Sequence, residues 1–376
     1  MYLSDLALTD FRSHGAAVIR LEPGVTTFVG GNGQGKTNIV EAVAYLATLA
    51  SHRVAATAPL VRRGAEQAVI RAKVVRGARA VLINLVLAPG KATKAELGRA
   101  KVKPAALLGV VKAVAFTPED LALVKTGPEV RRRYLDELLI QMRPALAGVI
   151  ADYEKVKDQR TALLKMLGGK GTASGNGAQD DLAAWDSAAA RLGGRLTANR
   201  MALVEDLAPE VARVYGAIAG AGEVSLNYEP TVPLTGRPAA EQVEQALLAA
   251  MAEGRARELE RGAGLVGPHR EDLAVALDGF PARGYASHGE SWSLALALRL
   301  GSFELMRRDG GDDPLLILDD VFAELDAGRR AAVTELVAGV EQVLVTAAVQ
   351  QDVPDGLTNT WFHLTNGEVL AGETGE

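Results

Sequence analysis

Two stretches carry residue types that could handle a phosphate. The first, GGNGQGKT at residues 30–37, fits G-x-x-x-x-G-K-[ST], with a strand-like run before it and a helical pattern after it. Gly30, Gly31, Asn32, Gly33, Gln34 and Gly35 would turn successive backbone N–H groups toward an anion, and the following helix would add its N-terminal dipole. Lys36 would reach the terminal phosphates of a nucleotide such as ATP, and Thr37 would offer its hydroxyl to Mg²⁺. The second stretch is LLILDD at 315–320. Four apolar residues bury a strand that delivers Asp319 beside the phosphates as the second partner of Mg²⁺, through water. Asp320 stands where a base could polarise an attacking water; a supporting or capping role is the alternative. Lys36, Asp319 and Asp320 are thus the candidate catalytic set, and Thr37 and Asp319 the candidate metal set.

A third stretch, ASHGES at 286–291, places Ser287, His288, Gly289 and Glu290 together. A serine hydrolase of the nucleophile-elbow type needs its serine in G-x-S-x-G after a strand, and Ser287 lies outside that frame. At the start of a helix, serine and glycine suit either capping or binding of an anion.

These motifs need strands and helices to hold them. Residues 16–22 and 24–30 read as strands, 37–50 as a helix, and AVIRAKVVRG with ARAVLINLVLAPG as a hairpin or meander. VVKAVAF is another strand, and Thr117 with Pro118 opens a helix after it. Beyond residue 270 come the strand LAVAL, a helix over 290–308, the LLILDD strand, a helix from Ala327, the strand QVLVTA and the β-like TWFHLTNGEVL.

Between these halves, from about 125 to 260, long helices are predicted. Leu146, Val149, Tyr153, Val156, Arg160, Leu163 and Leu167 keep strict 3-4 spacing, as do Leu182, Trp185, Ala189, Leu192, Leu196, Asn199 and Leu203. GGKGTASGNG, between the two runs, is too glycine-rich for a helix interior. Folding back there pairs Leu167 with Leu182, Leu163 with Trp185, Arg160 with Ala189 and Val156 with Leu192. The pattern predicts a short antiparallel coiled-coil arm with a flexible tip at about 168–180; a helical hairpin packed on a domain core is the alternative. The predicted organisation is an α/β head built from 1–124 and 261–376, with 125–260 inserted as a helical lobe.

The 376-residue chain is 48% hydrophobic and 23% charged, which suits a globular protein of about two units. It has no cysteine, so disulfides and thiolate metal sites are excluded and a reducing compartment is expected. No stretch reads as a signal peptide or approaches the ~18 apolar residues of a membrane span, which predicts a cytoplasmic protein without a membrane partner. The net charge of −5 argues against a nonspecific nucleic-acid coat. Residues 53–103 nevertheless hold twelve Lys or Arg against only Glu66 and Glu96. Arg53, Arg62, Arg63, Arg71, Lys73 and Arg76 are the candidate DNA contacts, to phosphates rather than bases; a solvated sheet face is the alternative. The RRR run at 131–133 suits ion pairs with nearby Asp136 and Glu137 as well as it suits DNA.

Taken in order, the P-loop, the Ser-x-Gly helix cap, the acidic strand and the Leu-Asp turn resemble the ABC-type ATPase heads of SMC and recombination-repair proteins. LTDFRSH at 8–14 resembles their first strand. More closely, FTPEDLALVKTGPEVRRRYLD, GPHREDL, ASHGE and LLILDDVFAELD resemble the RecF family of recombination mediators over essentially the whole chain. The resemblance implies an ABC-type P-loop head, ATP and Mg²⁺ as cofactors, and a homodimer formed with ATP. It also implies binding to double-stranded DNA and single-strand/double-strand junctions, with RecR, and indirectly RecO and RecA, as partners. Slow, DNA-stimulated hydrolysis would then act as a timer. It adds Arg12 to the nucleotide-binding set and places Ser287, Gly289 and Asp326 across the dimer interface. His288 and Glu290 stand where the family commonly has glutamines, and His269 and Arg270 receive no role. A P-loop small-molecule kinase, or a transporter-type head without a DNA role, is the rival reading. Transporter heads carry Asp-Glu and a later switch histidine, where this chain has Asp320 and Thr346.

Overall fold

The run GVTTFV is buried along five of its six residues, which is what a strand covered on both faces requires. The computed structural model describes residues 1–168 and 176–374. In chain order its strands are β1 (Tyr2–Phe11), β2 (His14–Arg20), β3 (Gly24–Val29), β4 (Ala68–Arg76), β5 (Arg79–Leu87), β6 (Lys94–Leu97), β7 (Ala100–Val102), β8 (Ala113–Phe116), β9 (Val224–Glu229), β10 (Asp272–Leu277), β11 (Phe280–Pro281), β12 (Leu315–Asp319), β13 (Gln342–Ala347), β14 (Thr360–Thr365) and β15 (Glu368–Thr374). Its helices are α1 (Lys36–Thr48), α2 (Leu121–Lys125), α3 (Pro128–Met142), α4 (Leu146–Gly168), α5 (Asn176–Ala219), α6 (Ala240–Arg261), α7 (Ala282–Tyr285), α8 (His288–Gly310) and α9 (Ala327–Val337).

The chain forms two compact units: Met1–Leu121 with Glu210–Gly222 and Ser287–Glu376, and Ala122–Pro209 with Glu223–Ala286. The first boundary lies three residues before the expected 124. Residues 210–222 join the head, because Val211 on α5 packs within 3.0 Å of where a Cβ on Gly301 of α8 would stand. Residues 261–286 belong to the second unit, because β10 pairs with β9 there.

The head has two six-stranded sheets. One runs β2-β1-β4-β5-β6-β7 and is antiparallel throughout. The other runs β15-β14-β3-β13-β12-β8 and is parallel except for the β14/β15 hairpin. In the second sheet β12 and β13 are buried at every residue, the continuous apolar pattern of a strand covered on both sides. One core joins Leu6, Ile70 and Leu85 of the antiparallel sheet to Ile39, Val43 and Leu46 of α1 and to Phe28, Ile317 and Leu344 of the parallel one. Phe28 and Phe362 stack across β3 and β14 with ring centroids 5.6 Å apart.

The second unit differs from the two-helix arm that the spacing predicts. It contains a strand, β9, within the stretch expected to be helical, in the three-stranded sheet β11-β10-β9. It also contains a third long helix, α6, against α4 and α5: a Cβ on Gly168 would meet Leu259 O, and one on Gly194 would meet Glu244 N at 2.9 Å. Leu164 rather than Leu163 is buried, since a straight helix of 3.6 residues per turn drifts off a strict heptad. On α5, Asp186, Ala190, Thr197 and Arg200 are buried beside the predicted Leu182, Ala189, Leu192 and Leu196, so more than one face is covered. Arg160, expected opposite Ala189, places its guanidinium on Asp186 Oδ1 at 2.6 Å and Glu258 Oε2 at 2.5 Å, while Arg255 pairs with Asp186. Of the flexible tip expected at about 168–180, residues 169–175 lie outside the described residues, while Gly168 ends α4 and α5 already begins at Asn176, so 176–180 are helical rather than loop.

Candidate nucleotide site

β3 ends at Val29, and the loop of residues 30–35 carries the chain into α1. Gly35 has φ +102° and its missing side chain is what admits His14: a Cβ there would stand 2.7 Å from His14 Nε2. Gly30 is similarly tight, with Leu364 O 2.5 Å from where a Cβ would be. The buried His14 ring bridges Gly35 O at 3.0 Å and Gly367 O at 2.8 Å, and Asn366 N donates to Gln34 Oε1. The β14/β15 turn and the first hairpin thus clamp the loop from two sides. Gly31, Asn32 and Gly33 are exposed at its apex.

Lys36 is 4% exposed, and its ammonium rests on Gly30 O at 2.8 Å and Gly31 O at 3.4 Å. Thr37 Oγ1 donates to Asp319 Oδ1 at 3.2 Å. β12 runs parallel to β13, which runs parallel to β3, so the acid and the loop reach the same sheet end. Burial pushes the Asp319 carboxyl up to about 6; Thr346 and Thr37 oppose this through hydrogen bonds, and the neighbouring Asp320 charge adds to it. Asp320 follows with φ 51° and its N–H bonds Thr346 Oγ1 at 2.9 Å. The buried Asp319 carboxylate and the Thr37 hydroxyl beside it are hard oxygens suited to Mg²⁺, and the exposed glycine loop offers backbone N–H groups to a polyphosphate. Among the described residues no cluster of three or more His, Asp or Glu could hold a metal ion unaided.

Ser287 caps α8: its Oγ accepts Glu290 N–H at 3.3 Å and Glu290 Oε2 accepts Ser287 N–H at 2.7 Å. This reciprocal capping box gives Glu290 a role that the sequence reading lacked. The Ser287 hydrogen bonds, with the Arg329 charge, hold the Glu290 carboxyl below its ordinary value. Arg329 is the residue that sequence reasoning missed. Its guanidinium approaches 2.9 Å from a Cβ position on Gly289, and it pairs with Asp326, the N-cap of α9, at 3.7 Å. The Ser-x-Gly cap and the Leu-Asp turn are therefore adjacent within one head.

Arg12 does not stand open. Its guanidinium forks onto Glu41 of α1, at 2.8 and 2.5 Å, and donates to Pro59 O at 3.0 Å. Burial alone would raise the Glu41 carboxyl, but hydrogen bonds from Arg12 and Ser51, with the Arg12 and Arg53 charges, bring it below its ordinary value. Arg53 also bonds Asn38 Oδ1 at 3.1 Å, which places it beside the P-loop helix. The other basic candidates spread over the antiparallel sheet and its loops. Arg62 pairs with Asp10 at 3.6 Å, Lys73 with Asp5 at 4.0 Å and Arg76 with Asp312 at 3.0 Å, while Arg63 and Arg71 are exposed. Arg71 heads a cross-strand row through Asn84, Glu96 and Lys101.

The RRR run is structural. Arg131 is buried on Asp272, Arg132 donates to Glu271 O at 2.7 Å, and Arg133 bonds Glu137 at 2.7 Å. His269 accepts from Tyr153 at 2.7 Å, and burial drives its pKa down to about 4, which keeps it neutral; Arg270 donates to Gly264 O.

The family described as RecF/RecN/SMC N terminal domain matches residues 2–365. A protein of Frankia alni named DNA replication and repair protein RecF is 54% identical, over 98% of this chain and 99% of its own. The solved structure of the recombination mediator protein RecF with ATP is 26% identical with TM-score 0.89, covering 99% of this chain and 98% of that one. An SMC head bound to the C-winged helix domain of ScpA is similar in fold, with TM-score 0.56 over 99% and 97% of the chains. Among the described residues no helix is long and apolar enough to cross a membrane.

Proposed function

The chain belongs to the RecF family, and on that premise we propose that it is an ATP-dependent, DNA-binding recombination mediator whose head dimerises on the nucleotide. The observation that carries this reading is the meeting of Thr37 and Asp319 at 3.2 Å beneath a glycine loop that already holds Lys36. In this reading the loop N–H groups and Lys36 bind the ATP phosphates. Thr37 and Asp319 hold Mg²⁺, which when bound neutralises charge on the terminal phosphates. Asp320 orients the attacking water. Arg12 fastens the P-loop helix through Glu41 and so supports the nucleotide site from its side.

Ser287 and Gly289 of one chain would close on the phosphates held by another, with Asp326 and Arg329 at the same face. Hydrolysis is slow and DNA-stimulated, and it serves to release the dimer from DNA. Arg53, Arg62, Arg63, Arg71, Lys73 and Arg76 supply phosphate contacts to double-stranded DNA and to single-strand/double-strand junctions. The RecFOR naming of the solved relative supports partners of that pathway; in this reading RecR is the direct partner, RecO and RecA are indirect ones, and RecA loading at gaps is the outcome. The site of action is the cytoplasmic nucleoid. A small-molecule kinase would give the Ser287 cap and the Asp326 turn no task beyond capping α8 and α9.

The deciding experiment measures mass by light scattering, and affinity for a gapped duplex, with and without ATP. ATP-driven dimers that hold DNA are expected. A monomer that phosphorylates a small molecule would replace this reading with the kinase.

A further inference from the structure

Thr346 lies one residue from the end of β13, paired in register with Asp319 on one side and Phe28 on the other, and is 1% exposed. Its hydroxyl donates to Asp319 Oδ1 at 2.5 Å and accepts the Asp320 N–H at 2.9 Å; Asp320 Oδ1, at 3.5 Å, is at the limit of a hydrogen bond. A hydroxyl has one proton to give, and the nearer carboxylate takes it. Asp319 Oδ1 then receives two hydroxyls, from Thr37 and Thr346, which fixes the plane of the carboxylate. Oδ2 is left as the oxygen without a hydrogen bond among the described residues. The second bond acts on backbone. Asp320 has φ 51°, a left-handed conformation uncommon outside glycine and best tolerated by Asp and Asn, and its N–H is tied to the same hydroxyl.

We propose that Thr346 is a positioning residue for both acids: one hydroxyl aims the Asp319 carboxylate at the metal and locks the turn that presents Asp320. The proposal rests on the nucleotide-hydrolysis reading above. Outer partners of a metal-binding carboxylate typically change metal affinity or turnover 10–100-fold when removed. Valine keeps the shape of threonine and loses only the hydroxyl; serine keeps the hydroxyl and loses only the methyl.

The test uses the full chain with Thr346→Val and Thr346→Ser, each checked by circular dichroism; Thr346→Ala replaces the valine variant if that one fails to fold. Three quantities are read: affinity for a fluorescent ATP analogue in chelator, Mn²⁺ affinity of the nucleotide complex by electron paramagnetic resonance, and kcat against Mg²⁺ concentration. Loss of the hydroxyl is expected to leave metal-free nucleotide affinity within about twofold. It should weaken Mn²⁺ binding and lower kcat by roughly 10–100-fold, with serine restoring both to within about threefold. Wild-type Mn²⁺ affinity and kcat in the hydroxyl-free variant overturn the proposal, as does a serine variant impaired as severely as valine. A wild-type protein that binds ATP and never hydrolyses it would overturn the ATPase reading instead, while Mn²⁺ affinity still judges Thr346.

Discussion

Thr37 and Asp319 are separated by 282 residues of chain, yet the hydroxyl of one donates to the carboxylate of the other at 3.2 Å. The contact exists because β13 lies between β12, which carries Asp319, and β3, whose following loop leads into the helix that carries Thr37; each strand pair is parallel and in register. It puts a potential metal partner from each end of the chain at one sheet end before any cation arrives.

Lys36 is the charge that this arrangement holds ready, on Gly30 O. Lys36→Met is expected to weaken ATP binding by roughly 10–100-fold, the worth of a hydrogen bond to a charged group. ATP-dependent retention on DNA should fall with it. Calorimetry and filter retention at matched salt check the two together; retention that survives loss of ATP binding would uncouple them.

The raised Asp319 carboxyl makes the apoprotein sensitive to pH. Its folded value of about 6 exceeds the unfolded value of 3.8, so the native state holds the proton longer. The stability from this group is fully present below the unfolded value and is lost as pH rises through about 6. Asp319→Asn should therefore stabilise the metal-free head at pH 7.5 by about 1–3 kcal/mol, and by close to nothing at pH 4. Thermal melts in chelator at the two pH values report the difference. Parallel pH profiles for the two proteins would remove this account.

Ser287→Arg tests the cross-chain role. The cap is exposed at the start of α8, so a large cation there should spare ATP binding and abolish ATP-dependent dimers. Sizing with and without ATP gives the answer, and normal dimers would confine Ser287 to its capping bond.

The basic candidates make a prediction about salt. Arg71 and Lys73 alternate outward along β4, at the middle of the antiparallel sheet. Replacing both by serine should flatten log affinity against log salt by about 0.9 for each duplex phosphate that is no longer neutralised. An unchanged slope would move the DNA-binding face off this strand.

Arg160 predicts a cost in the helical unit. It is the shared partner of two buried acids, Asp186 and Glu258. Arg160→Met would strand Glu258, which is 0% exposed, and should destabilise the unit by about 3–5 kcal/mol. Urea melts of the full chain measure it. A loss within experimental error would mean that the acids find other partners.

The P-loop and the acidic strand were legible in the sequence because each depends on local chemistry: glycines that turn, a lysine, and apolar residues ending in an acid. The hairpin from Ala68 to Leu87 was legible for the same reason, its alternation being visible over a few residues. The helical unit was not. A two-helix heptad can be read from α4 and α5 alone, but the third helix enters through Arg160 and Glu258, 98 residues apart, and no local pattern carries that. Strand β9 was hidden for a similar reason, since its partner β10 follows 42 residues beyond its end. Arg329 belongs to no motif, and Thr346 was visible only as the residue standing where transporter heads carry a histidine; what each of them touches is set by neighbouring strands and helices.

The position of β3 between β13 and β14 also has a consequence for synthesis. The glycine loop is made before either of the strands that flank its own strand. A nascent chain stalled before residue 342 would hold the complete phosphate motif with β3 unpaired on both edges. Such long-range parallel pairing forms slowly and leaves apolar edges open to other chains while it waits. The strand that launches the phosphate loop therefore waits for β13 and β14 to be made and docked before it is held on either edge.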